Sequence, residues 1–500
     1  MKHDVVCRCE EVARDEIRTA IENGFDSVSW VKRVTRAGMG TCQGKTCGRL
    51  LARMLQQDLG RNAASMVPDS VRPPVRPIPL RVLAESYSGF REVDYPVYEV
   101  DRHAYPLAGP APGEKAPFGT KAADVVVVGA GSTGCAVAYF LAKRGVRVAV
   151  VDRAQVAFEG GGRNMGGIRQ LGRHPAEIPM AIESVKRFRN LSAELGADIE
   201  FREMGYLWLA CNENEWSLIR KVARSEQEMG VDVHILENDA LHSRFPSVSA
   251  KAVGGAFCPS DSFASPVKTC RAYAAAAEKS GAAMYMNTTV TGVSTSAGRV
   301  SGVITDRGEI KAGVVVNAAG PWGKALADMV GVELPIRPCP NQIMVTEPVP
   351  PTLSPLMLST GCVSLQGPFG NMYVGNTNPP AGFWGFDKRT NRGEMARTAR
   401  NFLEIVPSLA DAKVIRSWVG ILDHTPDDIP IIGEEPQVPG FIEACGFSGH
   451  GFALTPVLGQ VISEYICGDE PAYPLRDFRP ERFTEGIDTT VEHFAHQDVL

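Results

Sequence analysis

The chain has 500 residues, ordinary apolar (44%) and charged (22%) fractions and a net charge of -5, enough length for about two to four domains with well-formed cores. No basic stripe is present, so nucleic acid is not an expected partner. The opening MKHDVVCRCEEVARDE carries charge where a secretory leader needs an apolar core, and no apolar run reaches the ~18 residues of a membrane span, so a soluble, cytoplasmic protein is expected.

Residues 1–60 read as one compact unit. Glu10 to Asn23 has helical spacing, with Val12, Ile17 and Ile21 as core positions and Gly24 as a C-cap. A short helix is expected near Ser27 to Arg36, and an amphipathic one from Cys47 onward. Four of the 12 cysteines cluster here, as Cys7-x-Cys9 and, after a gap, Cys42-x4-Cys47. The other eight (Cys135, Cys211, Cys258, Cys270, Cys339, Cys362, Cys445, Cys467) have no ligand spacing and read as buried thiols. Four thiolates match the ligand count of a [2Fe–2S] cluster. Tetrahedral zinc is the alternative, although C-x2-C knuckles are its commoner form and C-x-C is not.

Residues 61–122 hold ten of the 35 prolines, which favours extended chain over helix. Tyr87, Phe90, Tyr95, Tyr98 and Tyr105 argue against a freely solvated linker. This arm is expected to lie along a protein surface, a partner's included.

From Lys121 the pattern is α/β. A buried strand at Asp124–Val128 runs into GAGSTG, then a helix over 132–144 and a strand at Val146–Val151, the start of a βαβ unit. In this context Gly129 permits the tight turn, Gly131 lets the backbone approach a pyrophosphate, and Gly134 lets helix and strand pack closely, with Ser132 and Thr133 at the helix N-terminus. Asp152, followed by Arg153, stands where a carboxylate can accept from a ribose hydroxyl. Strands near Gly205–Ala210, Gly254–Phe257 and Val303–Thr305 are assigned to a second, antiparallel-rich subdomain. VVVNAAGPWG (Val314–Gly323) reads as a buried strand ending in small residues, Ala319 and Gly320 before Trp322, a second place for close cofactor approach. Later, Gly446, Phe447, Gly449 and Gly451 surround His450 ahead of a helix, where N–H donors would face charge on a reduced flavin.

Together these blocks resemble the D-amino-acid oxidase-like superfamily of FAD enzymes, over about 122–480. The resemblance is closer to the β-type subunits of hydrogen cyanide synthase, opine oxidases, hydroxyproline dehydrogenases and sarcosine oxidase. It implies a Rossmann-like FAD-binding domain with an antiparallel substrate subdomain. The FAD part falls near 123–200, 290–335 and 415–475, the substrate part near 201–289 and 336–414, and a tail at 481–500. It implies hydride transfer from the carbon next to nitrogen to flavin N5. It places GGGRNMGGIRQLGR (Gly160–Arg173) beside the isoalloxazine. Arg163, Asn164, Gly166, Gly167 and Gly420 then join the cofactor contacts, and Arg169, Arg173 and His450 become the catalytic candidates, with Arg416 a further arginine for a substrate carboxylate. The cysteine quartet resembles the bacterioferritin-associated-ferredoxin type of [2Fe–2S] module. That module with VRPPVRPIPLRVLAE looks like the end of the α-type subunits, which implies an α-type flavoprotein partner and a small ferredoxin-like subunit.

Three departures stand out. Ala453 replaces a lysine common in sarcosine oxidases, Pro340-Asn341-Gln342 stands where R-G-Q is frequent, and Gln366 stands where arginine is common in oxidases. They weigh against a simple glycine- or sarcosine-like substrate and against oxygen as acceptor. The expected function is an FAD- and [2Fe–2S]-dependent amino-acid dehydrogenase. The alternatives are an electron-transfer or assembly subunit without its own substrate site, and an oxidase with a vestigial cluster.

Overall fold

The computed structural model describes residues 4–60, 72–89, 117–352, 355–359, 361–376 and 384–485. Most of the proline-rich arm, with Phe90, Tyr95, Tyr98 and Tyr105, and the tail from 486 lie outside the described residues.

A six-stranded sheet carries the nucleotide fingerprint, in the order Ala283–Tyr285, Val148–Val151, Val125–Val128, Val314–Asn317, Phe441–Cys445, Ile431–Glu434. All neighbours are parallel except the last pair. The valine runs VVVV and VAVV are buried along their length, as strands covered on both faces must be. The helices Ser132–Lys143, Pro266–Lys279 and Gly451–Cys467 pack together over one face.

A nine-stranded sheet forms the second layer, in the order His234–Glu237, Gly254–Cys258, Tyr206–Ala210, Leu356–Ser359, Cys362–Gln366, Asn371–Gly375, Arg337–Pro348, Lys413–His424, Ile78–Pro79. Its long central pair, Arg337–Pro348 against Lys413–His424, is antiparallel and pairs Asn341 with Gly420. The strands at 206–210 and 254–258 fall in this sheet as expected. The one at Arg299–Thr305 does not: it sits in a separate four-stranded sheet with Val290–Ser296, Gly308–Lys311 and Gly119–Ala122.

The N-terminal unit has its own core. Ile17 and Ile21 of the helix Arg14–Glu22, Trp30 and Val31 of Val28–Thr35, and Leu51 and Leu55 of Cys47–Leu59 are buried together. It also packs on the body. Trp30 meets Phe158 with ring centroids 6.2 Å apart, Arg271 lies 3.7 Å over the Phe25 ring, and an Arg33 guanidinium N–H donates to the Ala157 carbonyl.

The described part of the arm lies against the body of the chain itself. Ile78–Pro79 adds an edge strand to the nine-stranded sheet. The helix Leu80–Glu85 packs on Arg392–Ile405, with Leu80 fully buried.

Candidate active site and cofactor cradle

One cavity runs along the carboxyl ends of the six-stranded sheet, where open α/β sheets bind their ligands. Gly129 has φ +116°, and a Cβ there would lie 2.3 Å from the Ala318 carbonyl oxygen. A Cβ on Gly134 would lie 1.9 Å from the Gly129 carbonyl oxygen. These two glycines therefore let helix, turn and strand end touch. Gly131 has open space before it, and with Ser132 and Thr133 it lines the cavity, so the helix N-terminus offers unpaired amides to an anion. Asp152 lines the same wall. Its Oδ2 accepts from the Ala130 amide and its Oδ1 from the Ala154 amide, both at 2.7 Å, and each oxygen keeps a second lone pair for a hydroxyl.

Opposite stand Ala319, Gly320 and Trp322. The Arg153 guanidinium lies 3.8 Å over the Trp322 ring, which stacks on Phe386 at 5.0 Å. Trp322 Nε1 is buried without a hydrogen-bond partner in the protein. Such a donor is costly and would be satisfied by an acceptor on a bound cofactor. Asn164, Phe447, Gly449 and Gly451 complete the wall.

Other expected cofactor contacts are placed differently. The Arg163 side chain donates to the Phe158 and Val419 carbonyls, both at 3.1 Å, and pairs with Glu159. It fastens the 158–164 segment to the strand Lys413–His424 and does not line this cavity. Gly166 and Gly167 are spacers: a Cβ would meet the Ala264 carbonyl oxygen at 2.3 Å and Leu356 at 2.6 Å respectively. Gly420 lies against Arg163, whose Cβ would be 3.5 Å from an added Cβ, an ordinary contact. The Gly446 and Phe447 amides, expected to face the flavin, donate instead to Asp423 Oδ2 at 2.8 and 3.1 Å.

The three catalytic candidates do meet, but behind the cavity wall. Arg173 lies 3.5 Å and His450 Nδ1 3.3 Å from the Glu177 carboxylate, all three buried. Arg169 donates to the Leu171 and Gly172 carbonyls, and its own carbonyl accepts from Arg173 Nε. None of the three side chains lines a described cavity. Burial alone would raise the Glu177 carboxyl, but the neighbouring His450 and Arg173 outweigh it and hold it low. Burial brings His450 down to about 4 against the pull of Glu177. The arrangement is a buried Arg173–Glu177 ion pair with His450 beside it, behind the loop that carries Gly449 and Gly451 to the cavity.

A second cavity, about 870 Å³, opens between the N-terminal unit and the body. Asn164 lines both cavities. Arg416, Trp418, Tyr373 and Met165 line its body side, and Glu10, Arg36 and Met39 its N-terminal side. Trp418 Nε1 donates to the Arg163 carbonyl at 2.9 Å, which fixes the indole beside Asn164. Sequence reasoning picked out Arg416 but not Tyr373 or the residues of the N-terminal unit. The alternation of the strand RSWVG, which puts Arg416 and Trp418 on one face, was the available signal.

Cys47 feels both Cys7 and Cys42, and Cys42 feels Cys9, so the four thiols are neighbours. The Gly38 amide donates to Cys7 Sγ at 3.4 Å, and the Gly44, Lys45 and Thr46 amides point at Cys42. Among the described residues no group of three or more His, Cys, Asp or Glu is arranged to hold a single metal ion.

The motif departures have structural occupations. Ala453 is buried in the core, Asn341 donates to the Asn376 carbonyl, Gln342 to that of Asn391, and Gln366 to three carbonyls of the 349–370 turn.

Residues 124–465 match the FAD dependent oxidoreductase family, and the chain belongs to that family. It is accordingly an oxidoreductase of the type acting on CH–NH bonds, with FAD as its cofactor. Residues 1–86 match the sarcosine oxidase A3 domain. The chain is 30% identical to sarcosine oxidase subunit beta of Rhodobacter capsulatus over 413 residues, 79% of this chain and 98% of that one. It is 27% identical to hydrogen cyanide synthase subunit HcnC of Pseudomonas aeruginosa over 403 residues, 72% and 96% of the two chains. The L-proline dehydrogenase structure from P. horikoshii superposes with a TM-score of 0.70 at 28% identity, covering 73% of this chain and 99% of that one. No helix among the described residues is long and apolar enough to cross a membrane.

Proposed function

We propose that the chain is a dehydrogenase that oxidises the C–N bond of a small secondary or N-substituted amino acid, passing electrons outward through a [2Fe–2S] cluster on Cys7, Cys9, Cys42 and Cys47. The observation that carries this reading is that Asn164 lines both cavities, one with the fingerprint cradle and one with a buried arginine. When bound in the first, FAD supplies the two-electron acceptor for the hydrogen and electron pair of the carbon next to nitrogen; the nitrogen lone pair closes the C=N bond, and water hydrolyses the imine.

The chain's own residues bind and orient. Arg416 holds a carboxylate, the role first sought in Arg169 and Arg173, since its guanidinium is the buried one on the second cavity. Trp418 and Tyr373, in edge contact at 6.2 Å, give the substrate an apolar wall and exclude water. Four neighbouring thiols match the ligand count of a [2Fe–2S] cluster, and their C-x-C spacing is not the C-x2-C of the commoner zinc knuckles. Amides aimed at the sulfurs would stabilise an anionic cluster. The match of 1–86 to a sarcosine oxidase A3 domain supports an α-type partner subunit, with a small ferredoxin-like subunit as a further member of the complex.

Anaerobic titration of the purified chain with N-substituted amino acids tests this. Flavin bleaching without any partner is expected. Cys42→Ser should keep the bleaching, lose iron, and slow turnover with a one-electron acceptor by at least about ten-fold. A flavin reduced only through an added subunit would point instead to an electron-transfer role, and rapid peroxide formation surviving Cys42→Ser to an oxidase.

A further inference from the structure

The segment 157–161 is held from two sides. On the inner side it belongs to the cofactor cradle. The Ala157 amide donates to the Ala130 carbonyl of the fingerprint turn at 3.0 Å. A Cβ on Gly161 would lie 2.9 Å from the Ser132 nitrogen, where the fingerprint helix begins. Phe158, Glu159, Gly160 and Gly161 line the cradle itself. On the outer side the segment meets the N-terminal unit. Arg33 of the helix Val28–Thr35 donates to the Ala157 carbonyl at 3.4 Å. Its guanidinium stands 4.9 Å from the Trp30 ring and 5.3 Å from the Phe158 ring. Phe158 packs against the core of that unit, so it faces the cofactor cavity and the N-terminal unit at once. Ala157 joins the two sides. It is buried with φ 61°, a left-handed conformation that a side chain disfavours and that persists where its surroundings hold it. Here the cradle holds its amide and Arg33 its carbonyl.

We propose that the N-terminal unit completes the FAD site, with Arg33 as the residue that positions the 157–161 wall, so that docking of the unit and binding of FAD strengthen one another. Such coupling is reciprocal: the factor by which the docked unit tightens FAD is the factor by which FAD tightens the docked unit. Neither the cluster nor the substrate assigned above enters into it, and a flavin site that fails to bleach with any amine would leave it standing.

Titration of the flavin-free chain with FAD, followed by quenching of the flavin fluorescence, reads the affinity. Arg33→Ala should weaken FAD about five-fold, the size of one hydrogen bond with one cation–ring contact, and Arg33→Lys should restore part of the loss. Arg53→Ala, at an exposed position of the helix Cys47–Leu59, should leave the affinity unchanged. Hydrogen exchange gives the reciprocal reading. FAD should slow exchange of the amides of the helix Val28–Thr35 in the unaltered chain, and the slowing should be about five-fold smaller in Arg33→Ala. Undiminished FAD affinity in Arg33→Ala, or exchange in that helix that ignores FAD, would overturn the proposal. So would exchange in Arg33→Ala that rises equally with and without FAD, since the arginine would then only hold the unit together.

Discussion

Glu443 is fully buried on the strand Phe441–Cys445, and its carboxyl meets only neutral partners. Asn317 Nδ2 donates to it at 2.7 Å and Cys445 Sγ approaches to 3.3 Å. Burial pushes this acid well above its ordinary range, with Glu435 adding to the effect. The folded chain therefore keeps a proton that the unfolded chain loses above the ordinary carboxylate range. Stability from this residue is full below that range and falls as pH rises towards the raised folded value, by up to about 1.4 kcal/mol per pH unit. Glu443→Gln keeps the acceptor for Asn317 and carries no charge at any pH. Thermal midpoints measured from pH 5 to 9 should fall for the unaltered chain and stay flatter for the variant; parallel curves would refute this account. The same scale explains what the sequence did not disclose. Arg169, Arg173 and His450 belong to segments whose other residues, Gly160, Gly161, Asn164, Gly449 and Gly451, line the cofactor cavity, yet a motif fixes where the backbone goes and not which way a side chain turns. Glu177, four residues after Arg173, is the partner that turns both Arg173 and His450 away from the cavity.

At the scale of elements, the strand–turn–helix with its glycines was legible because each glycine answers a steric demand at a fixed spacing. The three helices of the N-terminal unit were legible from their period. The strand Arg299–Thr305 was found, but its sheet was not, since alternation specifies a face and not a neighbour. The segment 78–85 was hidden for another reason. Its strand has only two residues and includes a proline, which is tolerated at a sheet edge. The Leu80 and Arg81 amides donate to the Ala412 and Ala410 carbonyls, both at 2.9 Å, and Leu80 enters a core with Phe402 and Val414. Leu80→Ala should cost about 3 kcal/mol in urea unfolding; a loss below about 1 kcal/mol would mean the segment is not held as described.

At the scale of the whole molecule, Cys9 adjoins Glu10, and Met39 is one residue from Gly40, whose Cβ position falls 2.3 Å from Cys9 Cβ. Both Glu10 and Met39 line the second cavity, which shares Asn164 with the cofactor cradle. On the proposed function, the cluster and the flavin lie on either side of one compartment in a single chain. Substrate added anaerobically to the isolated chain should then produce the electron paramagnetic resonance signal of a reduced [2Fe–2S] centre. Its appearance only after mixing with another subunit would count against an internal electron path.

The edge strand Ile78–Pro79 has a kinetic consequence. It pins the chain to the body with only 18 residues between it and the last helix of the N-terminal unit, Cys47–Leu59. If that unit lifted off to exchange substrate or meet an acceptor, the covalent connection would keep it near the body. Return would be a unimolecular event, insensitive to how dilute the protein is. Fusion of the two units thus sets a clock for opening and closing that separate subunits could match only at high abundance.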